Sequence, residues 1–150
     1  MYEGLLYTHS LLRYILLLAL VLAVVNAFMK WQGNKAFTPL DNKFSLYAFI
    51  FSHIQLVLGL ALYFISPKVQ IALVEMPEAM SSTLMRYWAV EHITAMIIGI
   101  ALITVGRVRS KKQSTDLGKH KQVAIWMGIG LLIILASIPW PFRGFGNGWV

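Results

Sequence analysis

Arg86-Tyr-Trp-Ala-Val-Glu-His-Ile-Thr-Ala-Met-Ile-Ile-Gly-Ile-Ala-Leu-Ile-Thr-Val-Gly-Arg107 is an apolar run broken early by an adjacent acid and imidazole. From Ile93 to Gly106 it is uncharged but too short to span alone; with Tyr87 to His92 it reaches the ~20 residues that a hydrocarbon core requires. Glu91 and His92 are then expected inside a membrane. Ionisable groups are expensive there and rarely face lipid, so the pair marks a functional-site candidate.

Working outward, the rest of the chain reads as a scaffold for that pair. Of its 150 residues, 58% are hydrophobic and 13% charged, and mean hydropathy is +0.68, which places it in the membrane class. Four apolar spans are predicted, at about 5–29, 44–66, 86–106 and 122–138. The fold class is all-α, a single transmembrane domain over 1–150, with short connections making sequential helices antiparallel neighbours in an up-down four-helix bundle. Spans one and three, and two and four, then lie diagonally. Residues 68–80 carry Glu75, Pro77 and Glu78 and are expected as an interfacial loop with one helical turn, and Ser81-Ser82-Thr83 offers an N-cap for the third span. No cleavable signal is expected, because Glu3 replaces a positive n-region.

Absence of cysteine excludes disulfides, thiolate metal sites and covalent haem attachment. The +7 formal charge sits between spans rather than on a soluble basic face, so no nucleic-acid partner is expected. It sets topology instead. The first and third loops hold Lys30, Lys35, Lys43, Arg107, Arg109, Lys111, Lys112, Lys119 and Lys121, against Lys68, Arg86 and Arg143 on the other side, which places both termini away from the cytoplasm. Tyr47, Tyr63, Tyr87, Trp88, Trp126, Trp140 and Trp149 suit interface anchoring.

Three histidines fall at membrane depth. Counting the helical rise outward from Lys30, Lys43 and Arg107 puts His9 at ~31 Å, His53 at ~15 Å and His92 at ~22 Å. Two imidazoles on facing helices can hold a haem iron axially. Diagonal placement favours His9 with His92, a mid-bundle haem favours His53 with His92, and arithmetic alone does not choose. Ala95 and Gly99, at i+3 and i+7 from His92, are expected to leave room for the macrocycle. The bland alternative is that these histidines only hydrogen-bond between helices, each worth about 1 kcal/mol. His120, flanked by lysines, is expected to be solvated. Arg13 and Glu91 share a depth of ~25 Å and suit an interhelical ion pair; the functional alternative has Arg13 pairing a haem propionate and Glu91 exchanging protons near a quinone. The stripe Ala48, Ser52, Gln55, Gly59 is expected to let a neighbour approach closely, as are Gly128 and Gly130. No phosphate loop, zinc-protease or nucleophile-elbow motif supports hydrolase or nucleotide chemistry.

The runs His9-Ser-Leu-Leu-Arg-Tyr, Phe51-Ser-His-Ile-Gln-Leu-Val-Leu-Gly and Glu91-His-Ile-Thr-Ala-Met, with Gly106-Arg-Val-Arg-Ser-Lys-Lys, resemble the small four-span bacterial membrane proteins labelled cytochrome b-like. The Gln-Leu-Val-Leu-Gly and early-helix histidine patterns are also similar to half of a haem A synthase and to the cytochrome b561 bundle. That resemblance implies haem b held by His9, His53 or His92 as ligands, in a bacterial inner membrane. Ile93 stands where the synthase has Arg after its His, which favours electron carriage, between the quinone pool and other respiratory membrane subunits, over synthase activity. Two rivals remain: a non-catalytic accessory or assembly subunit without haem, and a proton-coupled carrier, disfavoured because four unbroken spans offer little alternating-access machinery.

Overall fold

A computed structural model describes residues 1–145; Trp149 lies outside the described residues. The helices are α1 (Tyr2–Gln32), α2 (Pro39–Ile65), α3 (Pro67–Val74), α4 (Met76–Ser81), α5 (Thr83–Lys111) and α6 (Asp116–Ser137), followed by a 3-10 turn over Pro141–Arg143. Four of them, α1, α2, α5 and α6, are long and apolar enough to cross a membrane. Much of their apolar surface faces outward, with Leu18, Val57 and Leu132 each more than 60% exposed, as expected where lipid rather than protein covers the helices.

The helix boundaries have local causes. At the start of α2, the Thr38 backbone N–H and hydroxyl both donate to Asp41 Oδ2, at 2.7 and 2.8 Å, with Pro39 in the first turn. Pro67 stops α2 and opens α3. Ser82 Oγ accepts from the Met85 N–H at 3.4 Å, which is the expected cap of α5, and Thr115 Oγ1 accepts from the Gly118 N–H to cap α6. The expected interfacial loop is more ordered than one turn. Pro67 and Pro77 each sit in the first turn of a short helix, and Ala72 and Ala79 pack with Ala89 of α5, all at 2% exposure or less.

In the bundle α1 lies against α2 and α6, and α5 against the same two, leaving α1/α5 and α2/α6 as diagonals. The half nearest the basic loops is filled: Leu20, Ala23 and Ala27 of α1 meet Ala48 of α2, Ile103 of α5 and Met127 and Ile134 of α6. Glycine allows the closest approach, since a Cβ on Gly130 would stand 2.8 Å from the Gly99 carbonyl oxygen. A polar network ties off this basic end. Lys30 Nζ and Asn26 Nδ2 donate to Asp41 at 2.8 and 2.6 Å, and Arg107, buried, donates to Ser45 Oγ at 2.6 Å and Asn42 Oδ1 at 3.2 Å. His120 is also here and is fully buried rather than solvated. Helix α6 starts before its apolar run, so His120 lies inside its first two turns, under the α1–α2 loop, with its ring 4.9 Å from that of Phe37.

Candidate functional site

The other half of the bundle, toward the termini, is not filled. A cavity of about 140 Å3 runs there between the α1 and α5 diagonal, lined by His9 and Arg13 of α1, Gln55 and Gly59 of α2, and Trp88 and His92 of α5, with apolar side chains between them. On α1 its lining extends from Tyr2 to Leu17, a length of ~22 Å along the helix. It is a slot rather than a pit.

His92 is held by the end of α6, and the reason is written in two prolines. In a helix the carbonyls of Leu135 and Ser137 would accept from the N–H groups of residues 139 and 141, but both are proline and have none. Those carbonyls must find other donors. The Trp140 indole donates to Leu135 O at 3.0 Å. Ser137 O accepts from the Tyr87 hydroxyl at 2.7 Å and from His92 Nδ1, at 3.0 Å. A carbonyl only accepts, so this contact puts the imidazole proton on Nδ1 and leaves the Nε2 lone pair free for a ligand. Metal-binding histidines are typically oriented in this way by a backbone carbonyl.

A π turn over Tyr87–Glu91 sets the register that brings Tyr87 and His92 onto one face. Such insertions are frequent at functional sites. The turn is braced from α2 by Tyr63, whose hydroxyl donates to Ala89 O at 2.8 Å. Tyr87 is 2% exposed, so the expectation that it is an interface anchor does not hold. Pro141, which cannot donate to Ser137 O, was the signal in the sequence that could have exposed its role.

His9 comes from the opposite helix. Its ring lies on Gly59, where a Cβ would stand 3.1 Å from Cε1, and its backbone carbonyl accepts from Gln55 Nε2 at 2.9 Å. His9 Nδ1 and Gln55 Oε1 are buried with no hydrogen-bond partner among the described residues. Gln55 and Gly59 thus serve the close α1–α2 approach expected of their stripe. The room expected from Gly99 goes elsewhere: that residue packs against Ile134 and Gly130 and does not line the slot.

The straight depth count misled because Lys30, Lys43 and Arg107 are not level. Asn26 as well as Lys30 reaches Asp41, so α1 overruns α2 toward the basic end. With α2 as the ruler, counted from Lys43, the contacts of Gln55 and Gly59 put His9 at ~18 to 24 Å, and Tyr63, which meets Ala89, puts His92 near ~25 Å. His53 stays at ~15 Å. It lies outside the slot, with Nδ1 2.8 Å from Phe49 O and Nε2 3.4 Å from Thr104 Oγ1. Of the two pairings left open, the fold therefore brings together His9 and His92.

Glu91 is not in the slot either. Neighbouring helical positions point about 100° apart, so an acid beside an inward His92 faces out. It is exposed and forms an ion pair with Arg86 at 2.6 Å, replacing the expected pair with Arg13. Arg13 is buried in the slot wall, where it donates to the Tyr14 hydroxyl at 3.0 Å and lies 4.8 and 5.9 Å from the ring centroids of Tyr14 and Trp140.

Among the described residues no three His, Cys, Asp or Glu side chains gather as a metal-ion site. What the slot offers is two imidazoles from opposed helices, one of them with a fixed tautomer, and a buried guanidinium. No family model matches the chain, and neither a curated protein nor a solved structure is significantly similar to it.

Proposed function

We propose that the chain is a membrane b-type cytochrome-like electron carrier that holds haem b between His9 and His92. The observation that carries this reading is that these two side chains, on helices diagonal to one another in the bundle, line the same slot. His92 has its Nε2 free, and the His9 ring rests on Gly59 with its Nδ1 unpartnered among the described residues. The donor set suits haem iron, which takes two axial imidazoles and leaves the remaining four positions to the porphyrin. A porphyrin needs more width than 140 Å3 provides. Haem binding therefore requires the apolar side chains along the slot, Leu6, Leu56, Leu60 and Ile93 among them, to move aside.

When bound, the haem supplies the one-electron chemistry. The protein's own residues orient and insulate it. Tyr87 and the Ser137 carbonyl fix the His92 ring, Gly59 and Gln55 fix α1 at His9, and Arg13 places a positive charge beside the site. We place the chain in a bacterial inner membrane with both termini outside the cytoplasm, which the Lys and Arg distribution supports, and with the quinone pool and a respiratory subunit as redox partners.

The test is a reduced-minus-oxidised spectrum of protein purified in mild detergent from haem-replete cells. The α-band of a bis-histidine haem b is expected, lost in His92→Ala and in His9→Ala but kept in His53→Ala. A colourless wild-type preparation overturns the proposal, and loss of the band in His53→Ala with retention in His9→Ala overturns the pairing.

A further inference from the structure

We infer that the slot ends, on the terminal side, in a carboxylate seat built by Lys68, the Trp88 indole N–H and the hydroxyls of Tyr2 and Ser66. Its ligand class is an amphiphile with an apolar body and one or two acid groups. The inference deepens the haem reading and rests on it to this extent: if the slot holds haem, the acids seated here are its two propionates.

Four donors from three helices and the junction between α2 and α3 line one end of the slot. The Lys68 ammonium lies 5.8 Å from the Trp88 ring centroid, and Tyr2 Oη lies 3.5 Å from Ser66 Oγ. Trp88 Nε1 is buried and has no hydrogen-bond partner among the described residues. A buried donor left unpaired is costly, and an acceptor brought by a ligand removes that cost. The first turn of α3 opens here with Pro67 and Lys68, adding the positive end of that helix.

Charge points the same way. The slot lining contains two cations, Arg13 and Lys68, and no Asp or Glu. A ligand with two carboxylates balances it. Arg13 is the other place such acids could go, but it lies deep, engaged by Tyr14 and Trp140. Two carboxylates brought to that depth would lose their hydration, whereas Lys68 is exposed at the rim and keeps them near water. An apolar body inward and acids outward is therefore the orientation with the smaller desolvation penalty.

The experiment uses the full chain, produced in haem-deficient cells and purified in mild detergent. It is titrated separately with haem, with haem dimethyl ester and with a fluorescent long-chain fatty acid. Wild type should bind haem about tenfold more tightly than its diester, the equivalent of one charge-assisted contact. Lys68→Gln and Trp88→Phe should each remove most of that preference, Lys68→Arg should retain it, and the haem spectrum should not move in any of them because the iron ligands are untouched. Equal affinity of wild type for haem and diester overturns the seat while leaving the haem reading intact. No haem binding, but fatty-acid binding weakened by Lys68→Gln, keeps the seat and assigns it to a lipid acid, overturning the haem reading. Binding of neither overturns both.

Discussion

The carbonyl of Ser137 should behave as a shared anchor, and a double-mutant cycle measures it. Two donors meet on that oxygen, the Tyr87 hydroxyl at 2.7 Å and His92 Nδ1 at 3.0 Å, because Pro141 has no N–H to offer. Tyr87→Phe removes one donor but leaves the carbonyl bonded to His92, so it should cost about 1 kcal/mol, the net worth of one hydrogen bond. His92→Ala removes the other donor and leaves Tyr87 in place. It should cost a similar hydrogen-bond increment plus that of the space vacated. Only the double variant leaves this half-buried carbonyl with no partner, which adds a desolvation penalty of about 1 to 2 kcal/mol. The two effects should therefore exceed additivity by that amount. The assay is equilibrium unfolding of haem-free protein in mixed micelles, with Tyr63→Phe, which removes the brace that α2 gives the same turn, as a control. Additivity within about 0.5 kcal/mol, the usual result for independent sites, would refute the account of how His92 is held.

Two further outcomes are expected from packing and charge. Gly130→Ala should destabilise by about 1 to 3 kcal/mol, because the new Cβ meets the rigid Gly99 carbonyl at 2.8 Å, while Gly128→Ala, whose nearest neighbour is a Val24 methyl at 3.6 Å, should change thermal stability by less than about 0.5 kcal/mol. Asp41→Asn should lose about 2 kcal/mol in unfolding experiments, since Lys30 and Asn26 both donate to that buried carboxylate and the amide can satisfy them only in part.

What the order of residues determined by itself is the four-span bundle and its diagonals. Whether twenty consecutive side chains favour lipid is a property of the window alone, and connections of four to six residues between α1 and α2, and between α5 and α6, leave little choice of neighbour. The inward turn of His92 follows from the same reasoning, because lipid penalises an exposed imidazole. The stripe of Ala48, Ser52, Gln55 and Gly59 was legible for the same reason, since small and polar side chains on one face of a membrane helix have few other uses.

Only the tertiary structure decided which histidine shares a cavity with His92, and the reason is that level is a relation between helices. The count from charged ends assumed a common reference plane, and Asn26 and Lys30 meeting Asp41 showed that α1 overruns it. Glu91 and His120 changed environment on the same grounds. One faces outward because its neighbour faces in, and the other is covered by a loop distant in sequence. Tyr87 is the clearest instance: its buried place depends on Pro141, about fifty residues away, which leaves the Ser137 carbonyl without a backbone donor, a dependence that exists only once α5 and α6 lie side by side.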